Sequence, residues 1–90
     1  MFWQRKKDHS ATIEKIALSL IESGQTTGAL PFLSLREAAD YAKDKSPLQS
    51  PGFVQCHAVI GDGYYNLEFR PHPEKGVYMS AYYYGEASQC

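Results

Sequence analysis

The stretch Phe53-Val54-Gln55-Cys56-His57-Ala58-Val59-Ile60-Gly61-Asp62-Gly63-Tyr64-Tyr65-Asn66-Leu67-Glu68-Phe69-Arg70 decides the fold. Two β-rich runs flank Asp-Gly, a strong two-residue hairpin signal, because such a turn needs positive φ at its central positions. With Asp62 and Gly63 as the loop, Ile60 faces Tyr65, Ala58 faces Leu67 and Cys56 faces Phe69. On the other side Val59 meets Asn66, His57 meets Glu68 and Gln55 meets Arg70. One face is then apolar on both strands and the other mostly polar. A slip of one residue sets Ala58 opposite Asn66 and mixes the faces, which a sheet with one buried side does not tolerate.

Toward the C-terminus, Pro71 and Pro73 end the second strand, since neither donates to a ladder, and Gly76 closes the next turn. Val77, Met79, Ala81 and Tyr83 then alternate with Tyr78, Ser80, Tyr82 and Tyr84. The first set continues the apolar face and the second joins Tyr64, Asn66, Glu68 and Arg70 outside. Residues 53–84 therefore predict a three-stranded antiparallel meander, followed by a polar, frayed tail over 85–90.

Toward the N-terminus, Ile13, Ile16, Ala17, Leu20 and Ile21 recur at helical spacing, with Ser10 as N-cap and Gly24 as stop, predicting a helix over 10–24. A polar linker follows, then the extended Leu30-Pro31-Phe32-Leu33; residues 25–33 leave room for a short edge strand. Ser34-Leu35-Arg36-Glu37 is a capping box, with Leu33 placed to staple onto Ala38. It opens a second helix over 34–46, with Leu35, Ala38, Ala39 and Ala42 on one side, Tyr41 flanking, and Pro47 as its end. Ser46 to Gly52 is a loop. Residues 1–9 read as a flexible arm carrying Phe2, Trp3 and the basic Arg5-Lys6-Lys7. The order α-α-β-β-β, with one apolar face per element, predicts a single α+β domain in which two helices cover the inner face of a three-stranded sheet.

At 90 residues with a net charge of −1, the chain is one domain without the electrostatics of a dominant nucleic-acid or membrane-surface binder. No run approaches the ~20 apolar residues of a membrane span, and no secretory signal follows the basic start. Two cysteines, Cys56 within a strand and Cys90 at the terminus, make no disulfide framework, so a reducing, cytoplasmic setting is expected. No cofactor is implied: Gly61-Asp62-Gly63 is a hairpin turn, not a phosphate loop. No metal is implied either, since Cys56 and His57 point to opposite faces of one strand and His72, His9 and Cys90 share no ligand spacing.

His57 opposite Glu68 has the composition of an acid–base pair, but an imidazole facing a carboxylate across a hairpin is also ordinary sheet stabilisation. The feature that stands out is the outer face: Tyr64, Tyr78, Tyr82 and Tyr84 with His57, Glu68 and Arg70. Tyrosine gives large contact area at low entropy cost and is enriched at interfaces. The expectation is a small non-enzymatic protein-binding module, of the inhibitor, immunity or accessory kind found in phage or bacteria, docking by that face or by a sheet edge. A homodimer through strand 77–84 is the edge version. Two other readings stand beside it. One is a single-stranded nucleic-acid binder, with sheet tyrosines stacking on bases and Arg5, Lys6, Lys7 and Arg70 meeting phosphates. The other is a small enzyme built on His57 and Glu68.

Overall fold

Ser34 sits in extended backbone, its hydroxyl accepting from the Glu37 amide at 3.1 Å while the Glu37 carboxylate accepts from the Ser34 amide at 2.9 Å. Both halves of the capping box are thus closed, and they start helix α2, Leu35–Ala42. The structure, a computed structural model, describes residues 8–89. The remaining elements are helix α1 (Ser10–Glu22), strands β1 (Thr27–Leu30), β2 (Leu48–Ser50), β3 (Phe53–Ile60), β4 (Gly63–Pro71) and β5 (Val77–Glu86), and a 3-10 turn, Ala87–Gln89. Most of the expected arm, with Phe2, Trp3 and Arg5-Lys6-Lys7, lies outside the described residues.

Helix α1 differs from expectation at its start. Ser10 lies inside the helix; the cap position is His9, which makes no side-chain cap bond, while Asp8 Oδ1, one residue earlier, accepts from the Ser10 amide at 2.9 Å. At the other end Gly24, with φ +76°, donates its amide to Ile21 O, and the Gln25 amide reaches back to Leu20 O. This double bond pattern is a Schellman stop, which only a residue tolerant of positive φ allows. Helix α2 stops at Ala42, four residues short of the expected 46. There the Lys45 amide bonds Ala42 O, Ser46 takes a φ of +52°, and the chain swings toward the sheet.

The sheet has five strands, not three, in the order β1-β5-β4-β3-β2, all pairs antiparallel. The extra strands are its two edges. β1 falls within the segment left open above, and β2 falls in the expected loop before β3. Both are four residues or shorter, with no apolar alternation of their own, so they form because a neighbouring strand offers a ladder. β4 runs through Pro71, which pairs with Val77. β5 continues past Tyr84 to Glu86, and the amide of Ala87 bonds Asp62 O at 2.7 Å, so the described part of the tail is pinned rather than frayed.

The first hairpin keeps the expected faces with a different register. Ile60 pairs with Gly63, Ala58 with Tyr65, Cys56 with Leu67 and Val54 with Phe69. The loop is Gly61-Asp62, with positive φ at the glycine only, the φ pattern of a type II′ turn. Pairing has therefore moved by two residues, which leaves every side chain on its face but changes its partner. His57 now stands opposite Asn66, and Glu68 opposite Gln55, so the expected His57–Glu68 pair does not form.

Val54, Cys56, Ala58, Leu67, Phe69, Val77, Met79 and Ala81 line the inner face, buried beneath Ile13, Ala17 and Leu20 of α1 and Ala38, Tyr41 and Ala42 of α2. Helix α2 packs on β3 and β4, and α1 on β5. Each large apolar side chain hidden here stabilises the fold by about 1.5–3 kcal/mol. Tyr41, expected at the flank, is in the core; its ring meets Phe69 edge-on at 6.4 Å and its hydroxyl donates to Glu14 at 2.9 Å, tying the helices together. Among the described residues no helix is long and apolar enough to cross a membrane.

The outer sheet face as candidate binding site

Strand registers arrange the outer face as rows. One runs Phe53, Arg70, Tyr78, Ala29; the next Gln55, Glu68, Ser80, Thr27; the third His57, Asn66, Tyr82. Beyond them lie Val59 and Tyr64, where a bulge in β5 sets Tyr83 opposite Tyr65 and Gly85 opposite Tyr64 and leaves Tyr84 without an opposite number. Such a bulge re-aims side chains at the end of a strand. Tyr84 swings over its neighbours, its ring centroid 6.4 Å from His57 and 6.3 Å from Tyr64.

The centre of the face is polar and internally satisfied. Asn66, buried, accepts from Gln55 Nε2 at 2.8 Å and donates through Nδ2 to Glu68 at 3.1 Å. Arg70 donates to the other oxygen of Glu68 at 3.3 Å, and the Ser80 and Thr27 hydroxyls bond each other at 2.9 Å. Asn66 and Ser80, expected at the surface, are buried, each within its hydrogen bonds to neighbouring polar side chains. A buried polar row is stable only when each group finds a partner, and among the described residues no buried side-chain nitrogen or oxygen lacks one.

Aromatic rings occupy both ends. At one end Tyr64 Oη lies 3.1 Å from His57 Nδ1, with Tyr82 and Tyr84 exposed beside them. At the other, Arg70 stands over the Phe53 ring at 5.6 Å and Tyr78 packs on His72 at 4.5 Å. All seven expected site residues thus share this face. Phe53, Gln55 and His72 belong to it as well. Strand alternation already marks Phe53 and Gln55, whereas nothing in the sequence places the turn residue His72 beside Tyr78. Tyr83 lies on the inner side against Tyr65, 5.3 Å ring to ring, yet is 48% exposed.

Two concavities lie elsewhere. A cleft of about 630 Å³ runs between the start of α1 and α2, lined by Asp8, His9, Arg36, Glu37, Tyr41 and Lys45 among others. His9, placed with the flexible arm from sequence, is docked there, its Nε2 bonded to Glu37. A shallower groove sits below the β3–β4 turn. Neither is lined by His57 or Glu68. Cys56 is buried in the core, which pushes its thiol up to about 11. Among the described residues no three of His, Cys, Asp and Glu gather as metal ligands. No protein-family model, curated protein or solved structure matches the chain.

Proposed function

We propose that the chain is a small non-enzymatic protein-binding module that docks through the outer face of its sheet. The observation that carries this reading is the make-up of the face: no described helix lies on it, its polar centre is saturated by its own hydrogen bonds, and its rim holds the partly exposed rings of Tyr78, Tyr82 and Tyr84. A saturated centre gives up little hydration on contact, and rigid tyrosines supply area at small entropic cost. The test is capture from lysate of the source organism with tagged chain against the Tyr78→Ala/Tyr82→Ala variant. Specific capture that disappears in the variant, with the circular dichroism spectrum and urea midpoint held, supports the reading; equal capture by both removes it.

A second reading has its own observation. His57, Tyr64 and Tyr84 set three mutually contacting rings on one corner of the face, the arrangement on which unpaired bases stack. Glu68 in the same face and the net charge of −1 oppose it. A salt-titrated mobility assay with single strands discriminates: absence of a shift at low salt removes this reading.

A further inference from the structure

Two rings of this chain already seat its own cations. Lys45 Nζ stands 4.2 Å from the centroid of Tyr41, and the Arg70 guanidinium lies 5.6 Å from that of Phe53. A cation over a ring face is attracted by the quadrupole of the ring, most strongly where water is partly excluded. The far corner of the outer face gathers three more rings, those of His57, Tyr64 and Tyr84. Their centroids are 5.6, 6.4 and 6.3 Å apart and their planes are tilted by 54°, 65° and 40°, so no ring is stacked flat on another. The triangle is nearly equilateral. One group seated over its middle is therefore within the roughly 6 Å reach of a cation–π contact to every ring. Among the described residues no lysine or arginine stands over any of the three.

The surrounding groups narrow the choice of cation. Tyr64 Oη lies 3.1 Å from His57 Nδ1. With the imidazole proton on Nε2, Tyr64 donates to Nδ1 and its oxygen keeps a lone pair for an outside donor. Arginine brings five donors on a flat group that also lies against aromatic faces, whereas an ammonium is a compact, strongly hydrated charge. Val59, paired with Tyr64 and 59% exposed, is placed to cover the methylene stem. Tyr84, 57% exposed, leaves the triangle open to solvent. The nearest charge on the face is that of Glu68, one row from His57, while Arg70 is two rows away, so the local field favours a cation. We propose that this corner binds the guanidinium of an arginine on the partner protein. The inference rests on the outer face being the docking face, and it names one side chain that the partner brings.

The test follows the ring signals of the full, isotope-labelled chain by nuclear magnetic resonance, in mildly alkaline buffer that keeps imidazole neutral. The probes are N-acetylarginine amide, its neutral counterpart N-acetylcitrulline amide, and adenosine. The arginine probe should shift His57, Tyr64 and Tyr84 saturably and bind about threefold or more tighter than citrulline. Tyr84→Leu, at an exposed position, should keep the urea midpoint and lose that preference. Tyr78→Ala, at the other end of the face, should leave the preference within about twofold. The citrulline comparison on the unaltered chain stands independently of how either variant folds. No saturable shift, equal binding of citrulline, tighter binding of adenosine, or a preference that survives Tyr84→Leu overturns the inference. Partner capture that is lost in Tyr78→Ala/Tyr82→Ala, with no arginine preference at the corner, removes this inference and keeps the docking reading. An arginine preference beside equal capture removes the docking reading and leaves the corner a guanidinium site.

Discussion

His9 Nε2 lies 3.0 Å from Glu37 Oε2, on the carboxylate whose other oxygen closes the capping box of α2. A carboxylate only accepts, so His9 donates, and one side chain joins the entry of α1 to the first turn of α2. The Phe32 ring, 5.3 Å from the imidazole, packs beside this bond.

The Ser34 amide, and after it His9, hold the Glu37 carboxyl below its ordinary value. A depressed folded value means that the contribution is present above the unfolded carboxylate range and is lost as pH falls through the folded one. Glu37→Gln keeps a capping residue and removes the titration. Urea midpoints measured down the acid limb should fall more steeply for the wild type than for Glu37→Gln; parallel curves would contradict this.

Burial, and then the hydrogen bond to Glu14, push the Tyr41 phenol above its ordinary value of 10.0. A raised folded value gives stability that is complete below the unfolded value and lost as pH rises beyond it. Absorbance titration should show Tyr41 ionising only together with unfolding. Tyr41→Phe keeps the contact with Phe69 but removes the donor to Glu14, at a cost of about 1 kcal/mol in chemical denaturation.

Gly76 has φ +75°, and a Cβ there would run into the Leu30 carbonyl oxygen and Pro31 Cα. Both are backbone atoms of the segment leaving β1, so relief requires β1 to move. Gly76→Ala should destabilise by about 2 kcal/mol or more, read from the urea midpoint, through combined left-handed strain and collision. Gly52, with φ +76° and open space around it, isolates the strain alone and should cost less on the same substitution.

Cys56 is sealed in the core and its thiol is raised by that burial. In a Cys90→Ser background, iodoacetamide at neutral pH should leave the folded protein unmodified and label Cys56 only in denaturant. Labelling of the native chain by mass spectrometry would contradict the burial.

The faces of the sheet were legible because side-chain alternation has a period of two, and Leu67 and Phe69 are both fully buried as that pattern requires. The same period explains what was lost. A register moved by two residues leaves every face intact, so Ala58 opposite Leu67 and Ala58 opposite Tyr65 satisfy one pattern, and only the choice of turn residue separates them. Gly61 taking the positive φ in place of Gly63 decided it. β1 and β2 are too short to show alternation and depend on their neighbours for existence. The capping box, a purely local signal, carried through unchanged. The polar centre of the outer face did not, because Asn66 and Ser80 are buried within bonds to Gln55, Glu68 and Thr27 that strand alternation does not encode.

The sidedness of the sheet, core beneath and tyrosine rim above, is tested most directly by photochemically induced nuclear polarisation of the tyrosine rings, which reports contact with a dye in solution. Tyr78, Tyr82 and Tyr84 should polarise, and Tyr41 and Tyr65 should stay dark. Polarised Tyr41 or Tyr65 with silent Tyr78 and Tyr82 would contradict the account.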